Sequence, residues 1–118
     1  MKKCIYLVED NDDIRELIEL FLTDEKFEVH AHATVDSFKK EIINGRPDLI
    51  VLDVMLPDGN GIDVCSKLKA DGRTKNVPVL MMSANADGSR VKAICKADEF
   101  IEKPFDIQDF VNKVYKYA

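Results

Sequence analysis

The chain has 118 residues, of which 46% are hydrophobic and 33% are charged, and its formal net charge is −5. This size and balance predict a single domain with its own core, spanning residues 1–118. Residues 1–50 hold seven basic and twelve acidic side chains, whereas the rest of the chain holds ten of each. Because a nucleic-acid interface needs clustered basic residues, this distribution argues against direct binding to nucleic acid.

The three cysteines, Cys4, Cys65 and Cys95, are odd in number and far apart in the sequence. This pattern supports neither a disulfide framework nor a zinc site, so we expect reduced core thiols in a cytoplasmic protein. The chain shows no signal-peptide pattern and no apolar run of about 18 residues, the length that a membrane span requires. We therefore expect neither secretion nor insertion into a membrane.

A short apolar run from Cys4 to Val8 predicts the first strand, and an acidic stretch follows it. Apolar residues then recur with the period of a helix, which predicts an amphipathic helix with the inner residues Ile14, Leu17, Ile18 and Phe21. Asn11 or Asp12 can cap the start of this helix. That role accounts for one or two of the acidic residues in the stretch, but not for all of them.

Residues 27–31 predict a second strand near a sheet edge, because Glu28, His30 and His32 alternate with apolar residues. The two histidines share one face and have no other ligand-type residue near them in sequence, which favours a solvated edge over a metal site. The next helix is expected to start after Thr34 as N-cap and to end at Gly45 as a C′ glycine. Its expected inner residues are Val35, Phe38 and Ile42.

Four apolar residues from Leu49 to Leu52 predict a strand that is buried on both faces, and Asp53 follows them where a Pro/Gly loop begins. Ligands of open α/β sheets bind at the carboxyl ends of the strands. Aspartate is also common where a strand turns into a loop. Asp53 is therefore either a site residue or an ordinary loop-entry residue.

The rest of the chain continues to alternate helices and strands. Its predicted elements are a helix with the inner residues Gly61, Val64, Cys65 and Leu68, a strand from Val77 to Met82, a weakly apolar helix marked by Val91 and Ile94, a strand from Glu99 to Glu102, and a last helix capped by Asp106 with the inner residues Ile107, Phe110, Val111, Val114 and Ala118. Strand and helix thus alternate five times. This order predicts right-handed crossovers and a parallel sheet covered by helices on both faces.

Polar side chains follow four of the predicted strands where each strand ends. These side chains are Glu9 and Asp10, Asp53, Ser83 and Lys103. Three clustered carboxylates repel one another unless a cation lies between them, and ligand sets made only of oxygen favour a hard cation such as Mg²⁺. A hydroxyl and an ammonium beside that cation suit an incoming phosphoryl group.

With these residues the chain resembles the receiver domains of response regulators, the CheY-like family of two-component signalling. The matching stretches are Val8-Glu9-Asp10, Asp53-Val54-Met55-Leu56-Pro57-Asp58-Gly59-Asn60-Gly61, Ser83-Ala84, and Phe100-Ile101-Glu102-Lys103-Pro104-Phe105. They occur in the order and spacing of the family, and the resemblance covers essentially the whole chain. It implies a doubly wound, flavodoxin-like (βα)5 fold with strand order 2-1-3-4-5.

The resemblance also implies roles for single residues. Asp53 is expected to be the phospho-acceptor, and Mg²⁺ is expected to bind Glu9, Asp10, Asp53 and the backbone carbonyl of Met55. Ser83 would hydrogen-bond the phosphoryl group and Lys103 would neutralise it, and a cis peptide is expected before Pro104. The domain would catalyse its own phosphorylation and dephosphorylation, acting as a signalling switch rather than a metabolic enzyme.

The family further implies partners and an output surface. A sensor histidine kinase or phosphotransfer protein would supply the phosphoryl group and dock on the first helix, where Arg15, Glu16 and Glu19 are expected to face solvent. Ser83 and Phe100 would form a switch that changes the surface of the fourth helix, fifth strand and fifth helix, although Phe100 also fits a fixed core aromatic. A downstream protein or effector domain, or a second copy in a phosphorylation-dependent homodimer, would bind that surface.

One position departs from the family pattern. Lys96 stands where the family usually has Gly before Ala-Asp, so the turn must either accept a positive φ at a lysine or take another shape.

Other functions fit less well. An aspartyl phosphatase usually has a second Asp two residues after the first, where this chain has Met55, and Glu9-Asp10 would repel a flavin phosphate. A pseudo-receiver that acts only as an interaction module remains the alternative.

Overall fold

The computed structural model describes residues 2–84, 90, 91 and 95–118. The strands in chain order are β1 (Cys4–Val8), β2 (Glu28–His32), β3 (Leu49–Asp53), β4 (Met55–Leu56), β5 (Gly59–Asn60), β6 (Val79–Ser83) and β7 (Glu99–Glu102). Five of them form one parallel sheet in the order β2-β1-β3-β6-β7, and β4 and β5 form a short antiparallel hairpin. Because the hairpin adds two strands to the count, this order is the predicted 2-1-3-4-5, and the prediction is confirmed.

The structure describes four helices with their bounds, which are α1 (Asp12–Asp24), α2 (Val35–Ile42), α3 (Gly61–Ala70) and the C-terminal helix (Ile107–Tyr117). Arg90, Val91 and Cys95 also have helical backbone. Ile94, the second marker of the predicted fourth helix, lies outside the described residues. In the described part of the chain, no helix has both the length and the apolar composition that a membrane crossing requires.

Helices cover both faces of the sheet, and each face has its own core. On one face Tyr6, Val8 and Leu52 pack in a cluster with buried residues of α2 and α3. On the other face Leu7 and Val51 pack with buried residues of α1 and the C-terminal helix. Successive residues of a strand point to opposite faces, which is why the continuous apolar runs of β1 and β3 supply both clusters.

The inner face of α1 differs from the prediction. Ile18 and Leu22 are fully buried, whereas Leu17 is 47% and Phe21 is 36% exposed. Residues four apart lie one above the other on a helix, so the buried line runs from Ile14 through Ile18 to Leu22. Leu17 and Phe21 lie on the flank of that line, and the sequence pattern cannot separate the two positions.

Gly45 is not the predicted C′ glycine. Helix α2 ends at Ile42, and in the described part of the chain no glycine has a positive φ. A Cβ at Gly45 would instead lie 2.1 Å from the Tyr6 hydroxyl. The glycine is needed for the close approach of this ring and not for its own backbone angle.

Two lysines have the left-handed backbone conformation that usually selects glycine. Lys26 has φ 72° and Lys96 has φ 60°. Lys26 follows α1, where Phe27 N donates to Leu22 O and Lys26 N donates to Thr23 O, the two bonds of a Schellman motif. Lys96 therefore takes the first of the two options that the sequence left open, a positive φ at a lysine. The peptide bond between Lys103 and Pro104 is cis, as predicted.

The two histidines of β2 do not form a solvated edge. Their side chains are 29% (His30) and 10% (His32) exposed, because α2 packs over them and its Glu41 carboxylate contacts both rings. Tyr6 stacks on His30 with the ring centroids 4.7 Å apart. The sequence interpretation failed here since it had no means of placing Glu41 above the strand.

Candidate functional site

Asp53 ends β3, the middle strand of the sheet, and is almost completely buried. Its Oδ2 lies 2.5 Å from Lys103 Nζ, and its Oδ1 accepts a hydrogen bond of 3.2 Å from the Met55 amide. Both carboxylate oxygens are thus held by groups that follow strand ends. The Asp53 carboxylate therefore lies at the carboxyl ends of the strands, which is where ligands of such sheets bind.

The backbone after Asp53 turns sharply against the start of α3. Gly61 N donates to Val54 O at 2.7 Å, and a Cβ at Gly61 would lie only 2.0 Å from the Asp53 carbonyl oxygen. No side chain fits in that space. Gly61 therefore fixes the path by which the chain leaves Asp53.

Glu9 follows β1 and is fully buried beside Asp53. Its carboxylate accepts a hydrogen bond from the Asn11 amide and contacts Lys103 Nζ. Burial raises the pKa of Glu9 to about 7, and the charge of Asp53 adds to this, although the hydrogen bonds from Lys103 and Asn11 oppose it. A further positive charge nearby would therefore stabilise the ionised form of Glu9.

Lys103 Nζ lies between the carboxylates of Glu9 and Asp53. Burial alone would lower the pKa of this ammonium, but its hydrogen bonds to Asp53 and Glu9 outweigh burial and raise the pKa. Lys103 therefore remains charged across the physiological range and offsets one of the buried negative charges.

The three predicted acidic ligands do converge. Glu9, Asp10 and Asp53 each offer a carboxylate oxygen within 4.8 Å of the others, with Asp10 on the exposed side. A set of carboxylate oxygens that carries more negative charge than Lys103 can balance suits a hard divalent cation. The residues present therefore fit Mg²⁺. Met55 lies two residues after Asp53 and is 69% exposed.

Ser83 and Phe100 lie on the two strands beyond Asp53. Ser83 ends β6, is buried, and accepts the Lys103 amide through its backbone carbonyl at 2.9 Å. Phe100 is half-buried in β7 and packs against the core cluster that contains Met81. The structure thus places Ser83 at the same edge as Asp53 and joins it through the backbone to Lys103.

The family model for the response regulator receiver domain matches residues 5–115. This chain belongs to that family. It is a response regulator receiver domain of two-component systems, which agrees with the resemblance that the sequence motifs carry.

Curated relatives match this receiver domain over nearly its whole length. It is 34% identical over 116 residues to the phosphate regulon transcriptional regulatory protein PhoB of Escherichia coli K12, a match covering 97% of this chain and 51% of PhoB. Its identity to the DNA-binding response regulator MtrA of Mycolicibacterium smegmatis is also 34%, with coverage of 97% and 50%. The chain thus spans about half the length of the curated relatives it matches.

Solved structures of receiver domains superpose closely on this one. A putative response regulator from Chloroflexus aurantiacus gives a TM-score of 0.91 at 28% identity, covering 99% of this chain and 98% of that one. The chemotaxis response regulator CheY4 of Vibrio cholerae gives 0.92 at 20% identity over both full chains. The second comparison supports the fold alone.

Sequence reasoning missed two residues that support the receiver site. Arg15 was expected to face solvent, but its guanidinium donates to the Glu9 carbonyl at 3.0 Å and pairs with Asp12. Asp58 accepts hydrogen bonds from the amides of Val35 and Asp36 at 2.8 and 2.9 Å, which ties the loop after Asp53 to the start of α2. Spacing between an arginine and an acidic stretch could have suggested the first contact, whereas nothing in the sequence indicates the second.

Proposed function

We propose that Asp53 is the phospho-acceptor of this receiver domain and takes its phosphoryl group from the phosphohistidine of a sensor histidine kinase or phosphotransfer protein. The observation that carries this proposal is the buried Asp53 carboxylate, held 2.5 Å from Lys103 Nζ with Glu9 and Asp10 beside it. A nucleophile, a fixed cation and a set of metal-binding carboxylates are the parts that phosphoryl transfer requires.

The chemistry follows from these positions. An oxygen of Asp53 attacks the phosphorus, the phosphorus–nitrogen bond breaks, and its electron pair stays on the donor imidazole. Lys103 keeps its proton and neutralises the oxygens of the transferred group, and the Ser83 hydroxyl donates a hydrogen bond to one of them. Attack by water on the same phosphorus later returns the Asp53 carboxylate and releases inorganic phosphate.

Mg²⁺ is the cofactor that fits this site. Glu9, Asp10 and Asp53 would hold it through carboxylate oxygens, and Met55 would hold it through its backbone carbonyl, as the family resemblance implies. When bound, the ion supplies positive charge that offsets the repulsion between these carboxylates and the incoming phosphoryl oxygens.

The surface of α1 suits docking of the phosphoryl donor. Leu17 and Leu20 expose 47% and 66% of their surface beside the polar Glu16, and the helix begins at the edge that carries Asp53. Large apolar residues exposed next to each other are typical of a protein interface. Arg15 does not belong to this docking surface, because its guanidinium contacts Glu9 and supports the site.

The output would leave through β7 and the C-terminal helix. Attraction of Ser83 and Lys103 to the phosphoryl group would shift the ends of β6 and β7, and Phe100 of β7, three residues before Lys103, would move between two positions. An effector domain, a downstream protein or a second phosphorylated copy would recognise the changed surface. Relatives named as transcriptional and DNA-binding regulators are about twice as long as this chain, which supports an effector partner.

Phosphorylation with acetyl phosphate tests the proposal. Wild-type protein in Mg²⁺ is expected to gain one acid-stable, base-labile acyl phosphate, and chelation of the metal should suppress it. Asp53→Asn should gain none, whereas Asp63→Asn, which changes an exposed carboxylate of α3, should behave as wild type. Labelling of Asp53→Asn at the wild-type level would overturn the assignment, and a folded wild type without labelling would favour the pseudo-receiver.

A further inference from the structure

A second group of metal-ligating side chains lies at the opposite end of β1 from the receiver site. Cys4, Glu28 and His30 each offer one ligand atom within 4.8 Å of the others. Cys4 starts β1 and stands directly opposite Glu28 in the parallel register with β2, and His30 follows two residues on, on the same face. Five residues of strand separate Cys4 from Glu9, a distance of about 16 Å, so the two groups are distinct.

The ring of His30 is held in one orientation. Its Nδ1 lies 2.7 Å from Glu41 Oε2, and its Nε2 lies 3.0 Å from Glu28 Oε2. The other oxygen of Glu41 is 2.6 Å from His32 Nε2, and the Tyr6 ring stacks on His30. A metal-bound histidine commonly contacts an outer-shell carboxylate through the ring nitrogen that does not bind the metal. His30 has this arrangement, because Nδ1 contacts Glu41 and Nε2 lies beside the carboxylate of Glu28.

We propose that Cys4 Sγ, a Glu28 carboxylate oxygen and His30 Nε2 form a site for Zn²⁺. On binding, a sulfur–zinc bond replaces the S–H bond of Cys4, whose proton enters solvent, and the lone pair of unprotonated His30 Nε2 forms a nitrogen–zinc bond. The fourth tetrahedral position takes a water molecule, because the site opens on a surface groove lined by Lys2 and Arg46.

The ligand types select zinc over the ion of the receiver site. A thiolate, an imidazole and a carboxylate suit a borderline-soft cation, whereas Mg²⁺ favours oxygen ligands alone. The spacing of the cysteines in the sequence gave no support for such a site. The ligands come from two neighbouring strands, and only the register between β1 and β2 brings Cys4 opposite Glu28.

Competition with a chromogenic chelator measures the site directly. In excess Mg²⁺, wild-type protein is expected to bind one Zn²⁺, and Glu28→Gln and Cys4→Ser should each weaken binding by roughly tenfold or more. Asp53→Asn is the matched control for the receiver site and should bind Zn²⁺ as wild type does. Glu28 is exposed on an edge strand, so Glu28→Gln keeps the test valid if Cys4→Ser does not fold.

Substitution with Co²⁺ gives a readout of the thiolate itself. Wild-type protein with Co²⁺ is expected to show the near-ultraviolet charge-transfer band of a cobalt–thiolate bond, and Cys4→Ser should lose it. The proposal is overturned if wild-type protein takes up no stoichiometric Zn²⁺, if Glu28→Gln binds as wild type does, or if Asp53→Asn abolishes binding. None of these results bears on phosphorylation of Asp53, which acetyl phosphate tests separately.

Discussion

The candidate site contains one largely buried ammonium between two buried carboxylates. Lys103 contacts Glu9 and Asp53, and Asp10 lies on the exposed side of the same group. The positive charge of Lys103 offsets one of these negative charges and leaves the others to be balanced by protons or a metal ion. We therefore expect the protonation of Glu9 to respond directly to metal binding.

We predict that Glu9 makes the metal-free protein less stable as the pH rises. Burial raises the pKa of Glu9 from 4.5 to about 7, so between these values the folded chain holds a proton that the unfolded chain has released. Stability contributed by this proton is complete below about pH 4.5 and is lost as the pH passes about 7. Urea unfolding in a chelator across this range measures the loss.

Glu9→Gln is the variant that isolates this effect, because the amide keeps the shape of the side chain without a titrating group. The pKa of His30 is also raised, so its contribution to the stability of the protein likewise falls as the pH rises. The wild-type curve therefore contains the contributions of both Glu9 and His30. The pH dependence of Glu9→Gln should be clearly shallower than that of wild type. Parallel curves would show that Glu9 titrates normally.

At the residue level the sequence revealed the site through strand ends. Asp53, Glu9 and Lys103 could be found because parallel strands bring their carboxyl ends to one edge, which makes the contact long-range but regular. Asp58 and Glu41 could not be found in this way. Their partners depend on how α2 packs over the sheet, and no periodic pattern encodes that packing.

At the scale of elements, the end of α1 carries a local cost. Lys26 holds φ 72° at the C′ position of a Schellman motif, where a side chain crowds the following carbonyl oxygen. Lys26→Gly removes that crowding but adds freedom to the unfolded chain. We predict a net gain of about 0.5–1 kcal/mol in the free energy of unfolding, measured by urea denaturation.

Lys26→Ala is the control for charge and side-chain length. Alanine keeps the Cβ that is unfavourable at this φ, so this variant should gain nothing. If alanine stabilises the protein as much as glycine does, the cost comes from the charge of Lys26 and not from its backbone.

The elements themselves were predictable where one period dominated. The five strands of the parallel sheet begin and end within two residues of their predicted bounds, and the caps Thr34 and Asp106 are as expected, since each depends on residues adjacent in sequence. The prediction of the inner face of α1 was partly wrong, because apolar residues cover a wider part of the helix surface than the part that contacts the core. Leu17 and Phe21 remain on the outside, and an excess of apolar residues cannot say which of them faces the sheet.

At the scale of the whole molecule, metal binding is expected to raise stability. Mg²⁺ that binds only the folded chain shifts the unfolding equilibrium by mass action, so the melting temperature should rise with its concentration. Asp10→Ala should lose this response, and without metal it should melt at or above the wild-type temperature because a repelling charge is gone. The same Mg²⁺ response in both proteins would exclude Asp10 as a ligand.

Phosphorylation is predicted to reach the far strands of the sheet. With a phosphoryl mimic at Asp53, amide chemical shifts should change along β7 and the C-terminal helix, through Ser83 and Lys103 at the ends of adjoining strands. Ser83→Ala should still accept the mimic yet show smaller changes in those elements. Changes confined to the loops around Asp53 in wild type would mean that Phe100 is a fixed core aromatic.

The hydrogen bonds from Asp58 limit how this protein can be recombined with its relatives. The loop that follows Asp53 also supplies two acceptors for the first amides of α2, which lies more than twenty residues earlier in the chain. A chimaera that imports this loop from a receiver with an apolar residue in place of Asp58 would leave the Val35 and Asp36 amides without these acceptors. The unit that can be exchanged between relatives is therefore discontinuous in sequence, and it consists of the loop that follows Asp53 together with residues 34–36.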